Sequence, residues 1–152
     1  MFTIHAAPHL RLTLDPVGQD DPAEGAVAVS GDRIAAVGPL AELLASHPGA
    51  RVRQWRGTLG PGLVHDAPVP PADSPRERIH ALLRLGATAV TAAHVADDPE
   101  LRAAAARNGI VVLDRPRPPA LVTAGRADLA VFSDEGDCIA TVLAGRLVHR
   151  RA

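Results

Sequence analysis

The chain has 152 residues, enough for one domain or one domain with an insertion. At 47% hydrophobic and 22% charged residues it can bury a core, and a net charge of -1 argues against a nucleic-acid binder held by phosphate contacts. All 16 cationic side chains are Arg and lie scattered, while aromatics make up 2%, so there is neither a basic stripe nor a base-stacking platform.

The single cysteine, Cys138, excludes a disulfide framework and any multi-cysteine zinc module. No apolar run reaches the roughly 18 residues that span a bilayer. Met1–Leu14 lacks the cationic start and continuous apolar stretch of a signal peptide. The expectation is a cytoplasmic protein with no membrane and no nucleic-acid partner.

In chain order, the alternating leucines of His9–Leu14 predict a half-buried strand. Asp15–Gly25 reads as a polar loop. Ala26–Ser30 and Arg33–Gly38, joined by Gly31-Asp32, predict a hairpin, because glycine tolerates the positive φ of a tight primed turn. Pro39 opens a short helix with Leu40, Leu43 and Leu44 on one face, stopped by His47-Pro48-Gly49. A strand over Arg51–Trp55 and the run Gly57–Val64 follow.

The middle differs in character. Ala67–Pro75, rich in proline, predicts a stiff extended linker. Ser74 and Glu77 have capping-box spacing with Pro75 at the first helical position, so a helix carrying Ile79, Leu82 and Leu83 runs to Gly86. Ala87–Thr91 reads as a strand. Asp98-Pro99-Glu100 opens a helix closed by Asn108-Gly109, and Ile110–Leu113 reads as a strand buried on both faces. This is a small helix-strand-helix-strand unit with parallel strands. Arg115–Pro119 forms a second proline linker, and strands over Ala127–Phe132, Cys138–Leu143 and Arg146–His149 end the chain.

Two stretches together carry a family resemblance. The first is Ala26–Pro39 with its Gly31-Asp32-Arg33-Ile34 turn, continuing to Pro61-Gly62-Leu63-Val64; the second is Gly125-Arg126-Ala127-Asp128-Leu129 with Gly145-Arg146-Leu147-Val148. In this order they resemble the amidohydrolase superfamily, specifically its imidazolonepropionase/aminodeoxyfutalosine-deaminase-like members. The resemblance implies a mostly β fold with an α/β insert: residues 1–64 and 118–152 form one composite β-sandwich, and 65–117 stand where the family carries a metal-bearing (β/α)8 barrel. Those 53 residues cannot hold such a barrel, which takes about 200–250.

After the Pro-Gly-Leu-Val lead-in the family places Asn-x-His-x-His, two imidazoles on one side of a strand end that bind the metal. Here the register puts Ala67 and Val69 at both ligand positions, and the chain has no Lys to bridge two metals. No catalytic residue and no inherited cofactor is assigned. A replacement zinc or iron site would have to draw on His65, His80 and His94, with Asp66, Asp97 and Asp98 nearby, at spacings that match no compact motif.

Cys138, after an acidic turn, reads as a structural thiol, because nearby carboxylates raise its pKa. Asp128 reads as pairing with backbone amides or an arginine, and Trp55 as a plug of the sandwich core or its junction with the insert. His5, His9 and His47 show no partner pattern. The functional expectation is a degenerate imidazolonepropionase-like composite domain, non-catalytic, with a binding or structural role and a protein partner or second copy covering leftover apolar surface. The alternative is a metal-dependent hydrolase of non-peptide C–N bonds in a cyclic amide or amidine.

Overall fold

The computed structural model describes residues 2–14 and 23–151. The strands β1 (Phe2–Leu10), β2 (Ala23–Ser30), β3 (Arg33–Gly38), β4 (Arg51–Gln54), β5 (Thr58–Pro61), β9 (Leu129–Phe132), β10 (Cys138–Leu143) and β11 (Arg146–Arg150) make one mixed eight-stranded sheet. Between its two halves in sequence lie β6 (Leu63–His65), β7 (Ala87–Thr91) and β8 (Val111–Leu113), a separate three-stranded parallel sheet. Helix α1 (Leu40–Ser46) follows β3; α2 (Pro75–Arg84) and α3 (Pro99–Arg107) are the crossovers of the parallel sheet. The fold is thus mostly β with an α/β insert.

The large sheet runs β11-β10-β9-β5-β1-β2-β3, with β4 also pairing along β1. Its two ends fold back on each other. Val27, Val29 and Ile34 from one end share a core with Leu129, Val131, Ile139 and Val142 from the other. The composite character lies in the β5–β9 pairing, Thr58↔Phe132 through Pro61↔Leu129, which joins the N-terminal strands to the C-terminal ones. A second small core, Ile4, Ala6, Ala26, Ala28 and Leu43, seats α1 on the opposite face of β1 and β2.

The β2–β3 hairpin turns at Gly31 with φ +60°, as its Gly-Asp sequence predicts. The first strand is displaced from its predicted place: it spans Phe2–Leu10 rather than His9–Leu14. Ile4, His5, Ala6 and Ala7 are all buried because β1 is flanked in the sheet by β2 on one side and β4 and β5 on the other and has a core on each face, so no alternation marks it. Leu12, which the alternation placed inward, is 52% exposed. The predicted loop over 15–25 lies outside the described residues through position 22, and from Ala23 onward the chain is strand.

The insert begins one strand earlier than its helix. Leu63 and Val64 leave the large sheet and pair with β7, so the parallel unit is strand-helix-strand-helix-strand. Ser74 Oγ accepts from Glu77 N at 3.1 Å and Asp98 Oδ1 from Leu101 N at 3.0 Å, so both helices carry the side-chain caps their sequences predict. Ile79, Leu82 and Leu83 of α2 and Leu101, Ala104 and Ala105 of α3 pack on Val90 and Ile110. The predicted buried strand at 110–113 is instead an edge: among the described residues β8 pairs only with β7, and all three of its residues are half-buried. The segment after β6 is no free linker, since Arg78 donates to the Val69 and Pro70 carbonyls at 3.0 and 3.1 Å.

Strand β10 holds the two parts together. Val142 faces the large core while Leu143 enters the insert's core, and Thr141 Oγ1 donates to the Leu83 carbonyl of α2 at 2.7 Å. The β10–β11 turn in addition abuts the β2–β3 turn: Gly145 has φ +82°, and a Cβ there would run into the Gly31 carbonyl. Gly145→Ala is therefore expected to lower the urea midpoint by an amount equivalent to about 2–4 kcal/mol, backbone strain plus collision. Gly136→Ala is the control: φ is +92° but the space around it is open, and the loss should stay near 1 kcal/mol, as φ strain alone dictates.

Candidate functional site

Three parallel strands have two faces, and the helices cover only one. Parity sorts the residues: Val64, Ala89 and Val111 pair across the sheet as one row, while Val90 and Val112 turn toward the helices. The first row floors an open groove of about 290 Å³. Its other wall is Arg117, Pro118, Pro119, Ala120 and Val122, a strap that crosses the sheet face after β8. Beneath the strap, Thr13 bridges to Ala120 and Leu121 N donates to the Leu12 carbonyl, which returns the chain to the large sheet.

At the strand N-terminal end of the groove sits Asp128. Its carboxylate accepts twice from Arg126 Nε, at 2.9 and 2.8 Å, and from Ala144 N at 2.9 Å. Arg126 also donates from its terminal nitrogen to the Gly109 carbonyl at 2.8 Å, just past α3. The sequence reading of Asp128 as an arginine and backbone-amide partner matches this geometry. The pair lines the groove, with both carboxylate oxygens of Asp128 and two of the three guanidinium nitrogens of Arg126 bonded to the protein.

At the opposite, C-terminal end, Asp66 Oδ1 lies 3.1 Å from His94 Nε2, joining the chain after β6 to the short 3-10 turn after β7. Thr91, the last residue of β7, is 4% exposed and its hydroxyl oxygen has no hydrogen-bond partner. An unmade buried hydroxyl contact costs about 1–3 kcal/mol. In open parallel α/β sheets this carboxyl end is where ligands bind.

The three candidate histidines do not converge. His65 Nε2 is 3.2 Å from the Pro68 carbonyl, His94 is on Asp66, and His80 lies on α2 beside Arg76, Glu77 and Arg84 in a different surface groove. Among the described residues no three His, Cys, Asp or Glu side chains are grouped as a metal ion needs. Val69, at one of the two positions where the sequence resemblance would place a ligand, is 4% exposed and part of the insert's core; Ala67, at the other, is exposed.

Cys138 is half-buried, with Sγ 3.5 Å from the Ala140 carbonyl and 3.4 Å from Thr141 Oγ1. Burial pushes its thiol pKa up, against the weaker opposing effect of those contacts; the direction is as expected, but the cause is desolvation rather than carboxylates. Trp55 packs on the large sheet's core. Sequence reasoning missed two histidine contacts: Phe2 stacks on His47 with centroids 4.1 Å apart, and His5 is buried against Trp55.

Residues 25–50, which are β2 from its third residue, β3, α1 and the turn after it, match the imidazolonepropionase-like composite domain, bacteria. No curated protein matches the chain. Among solved structures the fold is similar to guanine deaminase from Bradyrhizobium japonicum, at 17% identity and TM-score 0.52, covering 73% of this chain and 34% of that one. It is similar to Helicobacter pylori aminofutalosine deaminase at 14% and 0.53, covering 74% and 32%. E. coli guanine deaminase gives 16% and 0.53, covering 74% and 35%. The chain spans about a third of the length of these proteins, and at these identities the likeness is one of fold.

The fold is therefore similar to part of these deaminases over about three quarters of this chain, a large mixed sheet joined here to a three-stranded parallel unit. More narrowly, residues 25–50 match the imidazolonepropionase-like composite domain, and the described residues contain no (β/α)8 barrel.

The Asp128 cluster generates a prediction. The Asp128 and Arg126 side chains are 19% and 27% exposed, so the pair is largely shielded from water. Asp128→Ala leaves the guanidinium and Ala144 N without their acceptor and is expected to cost about 2–3 kcal/mol. Urea unfolding followed by circular dichroism measures this, and an unchanged midpoint would contradict the structural role.

Proposed function

We propose that the chain is a non-catalytic composite domain, a degenerate relative of imidazolonepropionase-like enzymes, that works by binding a protein partner or a second copy in the cytoplasm. The observation that carries this reading is Val69. At the position where a metal-binding imidazole would stand, the side chain is an apolar group packed into the insert's core with Ile79 and Leu82. Converting it to a ligand would require unpacking that core. The groove floor, Val64, Ala89 and Val111, is the face that the remainder of a barrel would enclose, and near it Val122 and Leu12 stand 58% and 52% exposed. Exposed apolar surface of this kind commonly marks an interaction site.

Two measurements test the reading. Elemental mass spectrometry on protein prepared without a His-tag is expected to find zinc and iron far below one equivalent per chain; stoichiometric metal overturns the non-catalytic reading. Equilibrium sedimentation is expected to show concentration-dependent association, weakened by Val122→Asp on the groove wall. A strict monomer at every concentration would remove the second copy and leave a separate protein as the cover.

The Asp66–His94 pair favours the second reading, a metal-dependent hydrolase of a cyclic amide or amidine, because it lies at the carboxyl end of the parallel strands. Zinc or iron would be held by His65, His80 or His94, completed by a partner chain. That version fails when His65→Ala, His80→Ala and His94→Ala each leave a verified activity unchanged.

A further inference from the structure

The chain's one tryptophan is tied to one of its seven histidines. His5, near the start of β1, is 2% exposed. Its strand neighbours are Val27 on β2 and Arg53 on β4. Trp55, just past β4, hydrogen-bonds to Ala6 O through its backbone and donates its indole Nε1–H to His5 Nδ1 at 3.1 Å. The two rings are nearly parallel, 5° apart, with centroids separated by 6.3 Å.

An indole nitrogen only donates, so His5 Nδ1 must be bare and the ring neutral. The surroundings favour that state. Arg53 lies on one side, and the Arg150 guanidinium of β11 stands 5.5 Å from the indole centroid. Glu24, exposed on β2, lines the same surface groove as Trp55, and His47 is stacked on Phe2 at the strand's start. Among the described residues no carboxylate forms an ion pair with His5. A proton on Nδ1 would set a donor against a donor and put a buried positive charge beside Arg53.

We propose that His5 is a proton-operated latch: neutral, it holds Trp55 against the core of the large sheet, and protonated, it releases Trp55 and opens the β1–β4 end of the domain. The latch is independent of whether the groove binds a partner or the domain has lost its chemistry. Burial first, and Arg53 second, hold the imidazole down to about 4 from 6.5. A folded value below the unfolded one means the unfolded chain takes up the proton first. The stabilisation is thus complete above pH 6.5 and lost as pH falls from 6.5 towards 4.

Trp55 is its own reporter. Urea unfolding followed by tryptophan emission at pH 7 and pH 4, on the wild type and on His5→Gln, separates the latch from the general acid sensitivity of the carboxylates. Glutamine accepts the indole hydrogen bond without titrating. The folded-to-unfolded ratio of the wild type should fall about 100-fold more than that of His5→Gln over this interval. Equal falls in the two proteins overturn the latch. Should His5→Gln not fold, imidazole NMR on the wild type decides: a His5 ring titrating well below 6 together with a red shift of Trp55 emission supports the latch. A ring titrating near 6.5, or emission that stays still while the ring protonates, overturns it.

Discussion

Everything in this domain converges on the three residues Arg126, Ala127 and Asp128. Asp128 gathers Arg126 and the amide of Ala144, and Arg126 reaches on to the Gly109 carbonyl. The backbone of the same segment receives Gly62 N on the Asp128 carbonyl and Gly145 N on the Ala127 carbonyl, while Ala127 N donates to Asp32 O. One short stretch therefore ties together the β2–β3 turn, the step from β5 to β6, the end of α3 and the β10–β11 turn. Two of them, the β5–β6 step and the end of α3, are points where the large sheet meets the insert. A composite sheet built from the two ends of a chain must close a loop of more than 60 residues before β9 can pair with β5, and that closure is entropically unfavourable. Charge-assisted hydrogen bonds at the junction, roughly twice as strong as neutral ones, offset part of it where the loop is pinned.

The same junction explains how a parallel sheet of three strands persists outside a closed barrel. The helices bury one face through Ile79, Leu82, Leu101 and Ala104. The strap from Arg117 to Val122 lies across part of the other, held by Ala120 and Leu121 on the stretch after β1. Prolines are well suited to such a strap. Pro118 and Pro119 lose little backbone entropy when immobilised and carry no N–H that would need a partner over an apolar face. The strap leaves the groove open rather than filled, and its open floor is the physical basis for reading this face as a binding surface.

What could be read from sequence was what is decided locally. Ser74 and Asp98 announce their helices because a cap needs only neighbours three residues away, and Gly31-Asp32 announces its hairpin because the turn needs only a positive φ. Asp128 was legible in kind, as a carboxylate with arginine and amide partners, although Gly109 as the third member of the cluster was not. The composite architecture was legible only through two distant stretches taken in order. The first strand was missed because burial on both faces erases the period-2 pattern, and the leucines that do alternate, at 10, 12 and 14, are its last residue and two in the irregular stretch after it. The edge position of β8 was missed for the converse reason: four apolar residues describe a buried strand equally well whether or not another strand follows. His5 gave no signal, since its partner Trp55 is 50 positions away and only the parallel β1–β4 pairing brings them together.

The site was less legible than the fold, and the reason is topological. In a parallel unit the side chains that meet at the carboxyl ends come from different crossovers, so Asp66 and His94 are separated by 28 positions, and the linker lengths hide the contact. Thr91 shows the same limit from within. Its place at the end of a strand of small residues predicts burial, but whether its hydroxyl finds a partner depends on how far the following 3-10 turn, Ala92–His94, swings away. That turn caps with no side-chain bond from Thr91, so the hydroxyl stays unpaired while His94 is carried across to Asp66. The carboxyl end thus combines one satisfied polar pair with one unsatisfied buried oxygen. Val69, packed on Ile79 and Leu82, lies in the chain that leaves the same strand end. Core packing therefore fixes the first residues after that strand end, so a polar side chain at position 69 would be accommodated only at the expense of the insert's core.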